Sequence, residues 1–581
     1  MSDGRLPARR RWARWAIGII VTLLLLATGW VVVRGAGAIS EMQNVDRSAS
    51  QLRSSLAKGD LIRVEKIAPR VPQHAALAHE LTSDPIWRGF EIIPWVGPSF
   101  TAMREVAEIT DSVAGDLVDA VLDVSGEIDL TTLGFSGAEI DLVPLAPIEE
   151  TLTAAHKSLT TAEIQSQQID ANTVIPPLAT AVRQMRDTLT EYATVVGALR
   201  GASVLASPML GADGPRNYVV VMQNNAEVRS GGGSAESFTL LRADNGAISL
   251  RRQASAKDFP APAQSLPLSD ATTALFEDRP GRFVQSITSI PDFSEAGAMV
   301  ALRWEEKFGD TIDGVIAIDA AVAAQLVEAT GPISFGPFTA DADTIMPILL
   351  SRLYAEVEPA QQDAIFAQAA KALFSAALVS GEPQMLIGAV NAAADEGRVR
   401  IWSAHPEEEE FLTKTALGGT LPDDGERGAH VGVLFNDLTG AKLNFYTEAA
   451  ISTAVGVCSG EPTTQVHVTW KNNAPADAAE SLPASVTGSE DEDRNPGDVR
   501  TLIAVYGPEG STVKDSSQEA AQMSQLGTRT VAQYDVVLTP GESTTITVSF
   551  VGGGAGERLS NVLHTPMLTA LQPTQGELVC E

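Results

Sequence analysis

Between the apolar runs "NYVVVM" and "FTLL" lies "QNNAEVRSGGGSAES", Gln223 to Ser237, which gathers side-chain amides, carboxylates, an arginine and three consecutive glycines. Glycines allow positive φ and let backbone N–H groups approach a ligand closely, which is how anion-binding nests form. Arg229 adds a planar donor fork suited to phosphate or carboxylate. Asn225, Glu227, Arg229, Gly231 and Gly232 are therefore candidate ligand-binding residues. The same composition also suits a wide turn between two strands. It matches neither a Walker A loop nor a G-x-G-x-x-G opening a helix.

Three further places carry chemistry-bearing side chains, each with a plainer reading. Lys257 and Asp258 in "ASAKDFP" follow a predicted strand, where such pairs are common surface features. Asp292 in "SITSIPDFS" precedes a predicted helix and suits an N-terminal cap. Arg352 in "LLSRLYAEVEP" is four residues from Glu356, a helical pairing distance. As functional groups, Lys257 and Arg352 would bind an anionic ligand, and Asp258 or Asp292 would hold a metal ion. "SEDEDRNPGDVR" spaces Asp491, Asp493 and Asn495 as Ca²⁺ ligands can be spaced. Its glycine is misplaced for an EF-hand and the distal glutamate is missing, which favours a solvated acidic loop. "PEEEEF" at 406–411 reads as a charged helix start. With no G-x-S-x-G, no H-E-x-x-H and seven scattered histidines, the sequence gives little support to a hydrolase.

The elements that must position these groups are set by charge and periodicity. The chain of 581 residues has a net charge of −32, which excludes a nucleic-acid partner of the usual basic kind. The N-terminus has the opposite sign. Arg5, Arg9, Arg10, Arg11 and Arg14 precede a charge-free run from Trp15 to Val33. At 1.5 Å per residue that run comes close to the hydrocarbon thickness of about 30 Å. It is expected to be an uncleaved single-pass anchor with residues 1–14 a cytoplasmic basic tail and the bulk of the chain extracellular. A cleaved signal peptide is the alternative, but the apolar run exceeds the usual h-region.

Residues 34–205 carry helical periodicity and are predicted to form a stalk or bundle. Residues 206–435 alternate strands with helices, which implies an α/β domain. Residues 436–581 fall to a period of two between "NNAP", "GPEG" and "TPGES" turns, the pattern of a β-sandwich. The two cysteines, Cys458 and Cys580, suit one disulfide in an oxidising compartment, two unpaired thiols being the alternative.

The segments "NYVVVMQNNAEVRSGGGSAESFTLLRADNGAISL", "IDGVIAIDAAVAAQLVEATGPI", "RLYAEVEPAQQDAIF" and "FNDLTGAKLNFY" resemble the exported bacterial family known as domain of unknown function 4012. The resemblance runs over most of Thr82 to Glu581 and implies an architecture without an activity. More distantly, the α/β part resembles the LytR-CpsA-Psr family, which transfers glycopolymers from polyprenyl-pyrophosphate carriers to the cell wall. That resemblance places Glu227 and Arg229 near the family's first charged motif, Lys257 and Asp258 near its second, and Arg352 near its later basic motif. It implies pyrophosphate binding with Mg²⁺ as the cofactor; the residues themselves imply no cofactor. The family's Arg-x-x-Arg-Gln helix is here "QQDAIFAQ", where Asp363 brings negative charge, and its Pro-Arg is here Ala-Lys. Three functions are compatible with these readings: an envelope protein binding a cell-wall glycan, lipid-linked saccharide or protein partner without catalysis; a glycopolymer transferase; and a structural scaffold.

Overall fold

The computed structural model describes residues 8–57, 60–126, 140, 142, 145–379, 383–421, 424, 428–488, 495–556 and 559–580. Asp491 and Asp493 lie outside them, as does Arg5. The chain divides into two compact units, Met1–Leu133 with Leu142–Ser207, and Gly134–Asp141 with Pro208–Glu581.

The first unit is built on one helix, Ala8–Ala57, 50 residues long. Its N-terminal part is long and apolar enough to cross a membrane. No break in the helix separates the apolar run, Trp15 to Val33, from the residues that follow it. Within the helix, Gly35 and Gly37 sit where neighbours pack closely against it. A Cβ on Gly35 would lie 3.5 Å from the Trp87 ring, and one on Gly37 would lie 3.2 Å from Leu81. The helix Arg70–Thr82 returns antiparallel alongside, with His74 2.6 Å from Glu41 and Arg34 donating to the Leu81 carbonyl at 2.9 Å. The helix Gly97–Gly126 then runs the same way as the first, and Ala114 and Val118 share a core with Leu52, Val64 and Val71. Helices Leu145–Gln167 and Pro176–Met209 complete a second core through Leu159, Val182 and Leu189.

The second unit holds a five-stranded mixed sheet and two more five-stranded sheets. The mixed sheet contains β1 (Arg216–Asn224), β2 (Ser234–Asp244), β3 (Ala247–Ser255) and β4 (Gly314–Asp319). A short hairpin of β5 (Ile333–Phe335) and β6 (Phe338–Ala340) comes next, and β7 (Arg400–Ser403) then closes the edge in the order β3-β2-β1-β4-β7. Asn245 and Gly246 join β2 to β3 with φ of 48° and 84°, the paired positive values a two-residue hairpin turn demands. β1 and β4 run parallel with Val219 opposite Val315, so both end toward the same edge. Helix Phe293–Phe308 covers one apolar cluster with β1, and helices Ala320–Thr330 and Pro359–Val379 cover another. The residues from Ile345 to Glu356 are helical throughout, with a π-helical turn, Ile348–Arg352, between two short α-helical pieces.

The last two sheets are mostly antiparallel. One contains β8 (Ala429–Asp437), β11 (Val499–Glu509), β13 (Gln522–Leu526), β14 (Arg529–Leu538) and β16 (Leu559–His564). The other contains β9 (Thr447–Cys458), β10 (Glu461–Asn472), β12 (Thr512–Ser516), β15 (Ser543–Val551) and β17 (Thr574–Gln575). Residues of both sheets form one core, in which Phe435 stacks on Trp470 at 4.7 Å. The boundary expected at 435/436 falls inside β8. Cys458 and Cys580 are joined by a disulfide across a sequence separation of 122.

Candidate functional site

The loop between β1 and β2 is buried from Asn225 to Ala235, which is unusual because loops carry backbone groups that water normally satisfies. Here the fold satisfies them. The Gly231 N–H donates to the Thr288 carbonyl at 2.8 Å, that of Gly232 to the Arg229 carbonyl at 2.8 Å, and that of Gly233 to Gln223 Oε1 at 3.1 Å. An anion nest needs those donors free, so Gly231 and Gly232 are packing residues rather than ligand donors. A Cβ on Gly232 would meet Gln223 Oε1 at 2.5 Å, and one on Gly233 would meet the Asn224 backbone at 2.3 Å.

The charged residues of the loop are likewise occupied. Arg229 donates to the carbonyls of Val228 (2.8 Å) and Asp437 (3.0 Å) and pairs with Glu227. Glu227 also accepts from Lys442 at 2.5 Å, and Lys442 pairs in turn with Glu236. Glu236 and the Asn224 amide both bond the Tyr354 hydroxyl, at 2.9 and 2.6 Å. Burial alone would raise the Glu227 carboxyl, but Lys442 and Arg229 outweigh it and hold it below its ordinary value. Burial pushes Asp437 up to about 6 against the pull of Arg229. Tyr354 rises well above its usual range through burial and the neighbouring Glu236. Asn225 donates to Asp319 at 3.0 Å, and Asp319 also receives Arg398 at 2.8 Å. Asn225 is a bracing residue.

Beside this network opens a cleft of about 830 Å³. Leu349 and Leu350 of the π turn, with Phe366, Ala370 and Leu373 of the helix Pro359–Val379, give it an apolar wall. Its polar end carries Glu227, Glu236 and Lys442, and its rim carries Lys257, Asp258, Asp363 and Arg279. Lys257 is exposed and pairs with Asp363 at 2.9 Å. Asp258 turns back to accept from the Ser255 N–H at 2.8 Å. Exposed Arg279 has no carboxylate partner among the described residues.

The remaining candidates lie elsewhere. Arg352 is not among the cleft residues; it is half exposed, pairs with Glu356 at 2.7 Å and rests over the Phe338 ring. Asp292 caps the helix Phe293–Phe308 by accepting from the Ser294 N–H at 2.9 Å, and burial raises its carboxyl. It lines a separate hollow with Glu295. Asp258 and Asp292 therefore do not meet, and among the described residues no three His, Cys, Asp or Glu side chains gather as a metal site.

Sequence reasoning missed Lys442, Glu236, Asp437 and Arg279. Lys442 stands in "FNDLTGAKLNFY", beyond the reach of local patterning, and only its position after a turn-rich "DLTG" hinted at a site. It also missed Arg400 on β7, a buried guanidinium whose bond to the Gly397 carbonyl, at 3.3 Å, is long. Burial alone lowers Arg400 to about 10.

Residues 213–354 match the family model described as a protein of unknown function, DUF4012. The match is narrower than the resemblance running from Thr82 to Glu581. It takes in Glu227, Arg229, Lys257, Asp258, Asp292 and Arg352 but stops short of Asp437 and Lys442. No curated protein matches the chain.

Proposed function

We propose that the protein is a membrane-anchored component of the cell envelope that holds a lipid-linked saccharide in the cleft without transforming it. The observation that carries this reading is the pairing, in one cleft, of an apolar wall with a polar, charged end. A ligand with an apolar chain and a polar head fits both halves, and Arg279 is a cation left to meet an anionic linkage. The distant likeness of the α/β part to the LytR-CpsA-Psr family, which handles polyprenyl-pyrophosphate-linked glycopolymers, supports the same ligand class. Transfer chemistry has weaker support, because Arg229, Lys257, Lys442 and Arg352 all face carboxylates of the chain itself.

The test is binding of a short-chain prenyl-pyrophosphate saccharide to the full-length chain in nanodiscs. Wild type binds saturably with or without Mg²⁺, Ala370→Trp fills the cleft and abolishes binding, and Arg352→Ala leaves it unchanged. Absence of binding to wild type leaves the scaffold role and ends this reading. Product formation with Mg²⁺ establishes the transferase instead.

A further inference from the structure

The first unit ends, on the side of the apolar run, in a turn whose apolar side chains are exposed. Phe100 stands edge-on to Trp87 at 5.0 Å, and Trp87 packs on Gly35, two residues past the end of that run. Arg34 holds Asp84, the cap of the helix Pro85–Glu91, at 2.9 Å. The helix Gly97–Gly126 rises from Phe100 toward the level of Leu52, so the residues before Gly97 lie on the side of the apolar run. These are Ile92, Ile93, Pro94, Trp95 and Val96. Ile92 is 84% exposed and Trp95 93%, with Ile93 and Val96 also exposed.

The turn is built rather than loose. The Gly97 N–H donates to the Ile93 carbonyl at 2.8 Å, and a Cβ on Gly97 would meet the Glu91 carbonyl at 2.1 Å. Trp95 adopts φ 71°, a left-handed conformation that a bulky side chain rarely takes. A tight turn that strains its backbone to hold out tryptophan and isoleucine is poorly suited to water. Exposed Arg88 on the preceding helix has no carboxylate partner among the described residues, which suits a lipid phosphate.

We propose that the turn Ile92–Val96 inserts into the interfacial layer of the membrane that the N-terminal helix crosses, giving the chain a second attachment point. The proposal rests on that helix being a membrane span. Tryptophan at the headgroup level with aliphatic side chains below it is the usual composition of an interfacial insertion. The surface commits to lipid rather than protein because it adjoins the span and lies on the same side of the unit.

The experiment uses the full-length chain in phosphatidylcholine–phosphatidylglycerol vesicles, with an environment-sensitive fluorophore on one introduced thiol. Cys458 and Cys580 are bonded to each other, so that thiol alone reacts. Ile92→Cys and Trp95→Cys report on the turn, Leu25→Cys on the apolar run and Ile62→Cys on an exposed site elsewhere in the unit. Both turn labels are expected to shift to the blue and to be quenched by nitroxide-bearing lipids, with no response at residue 62. Quenching at residue 25 with water-like turn labels overturns the proposal while leaving the span intact. Silence at residue 25 as well overturns the span and the proposal with it. A blue shift without quenching by lipid assigns the turn to a protein contact and also overturns it.

Discussion

Arg229 carries a fork of donor groups, and the fold engages it from within, through Glu227, the Val228 carbonyl and the Asp437 carbonyl. Removing one member of a buried ion pair strands the others in a medium of low dielectric. Arg229→Ala is accordingly expected to lower unfolding stability by about 3–5 kcal/mol, read by urea denaturation. A role in ligand contact alone predicts lost binding with unchanged stability. Asp437 gives a second readout, since burial holds it at about 6, above the value of the unfolded chain. The folded protein therefore binds an extra proton between about pH 4 and about pH 6, and this group's ionisation costs stability as pH rises through that window. Asp437→Asn removes that slope, so the variant gains on wild type as pH rises across it. Glu227 works in the opposite sense at lower pH, because its stabilisation is lost as pH falls through its depressed folded value. The residue types in "QNNAEVRSGGGSAES" announced a crowded polar site, but not that its partners would be other parts of the same chain. Lys442 is 215 residues from Glu227, and no local pattern spans that separation.

At the scale of the element, the loop 225–233 is a wedge between β1 and β2 whose backbone is read by later segments. The Val228 N–H donates to Asn444 at 3.2 Å, and the Asp437 N–H donates to the Val228 carbonyl at 2.9 Å. Three glycines in a row suggested conformational freedom; the structure uses it at Gly232, whose φ is 129°, and uses the missing side chains at Gly232 and Gly233. Gly233→Ala places a Cβ 2.3 Å from the Asn224 backbone, and a destabilisation on the order of 3 kcal/mol is expected in thermal or urea unfolding. A free ligand-binding loop would tolerate the same change. The strands β1, β2 and β4 were legible because apolar runs bounded by turn residues announce them. The edge strand β7 was not: four residues, "RIWS", carry too little pattern, and its place is set by pairing with β4. The π turn at Ile348–Arg352 was invisible as well, because the nearly continuous apolar run "IMPILL" leaves no polar face against which a shift of one residue would show.

For the whole molecule, the disulfide and the first helix tie the two ends of the chain in different ways. The bond between Cys458 and Cys580 fastens a C-terminal strip that otherwise rests on few contacts, among them the Gly576 N–H on the Thr453 carbonyl and the Val579 N–H on Gln465. Reduction is expected to expose the Gly576 and Val579 amides to hydrogen exchange while β10 and β11 keep their protection. The accompanying loss of unfolding stability is about 2–5 kcal/mol. Equal loss of protection in the central strands would show instead that the bond supports the whole core. A helix long and apolar enough to cross a membrane was legible from length and composition alone, whereas the absence of a joint after its apolar run was not. Residues 34–57 continue the first helix for about 36 Å beyond the apolar run at 1.5 Å per residue. A continuous rod has no swivel at the lipid surface. Spans answer a change in bilayer thickness by tilting, and a change of about 10° displaces the far end of this rod sideways by ~6 Å. Where the apolar run spans a bilayer, its thickness becomes a mechanical input to the unit built on the helix, with the rod as its lever arm.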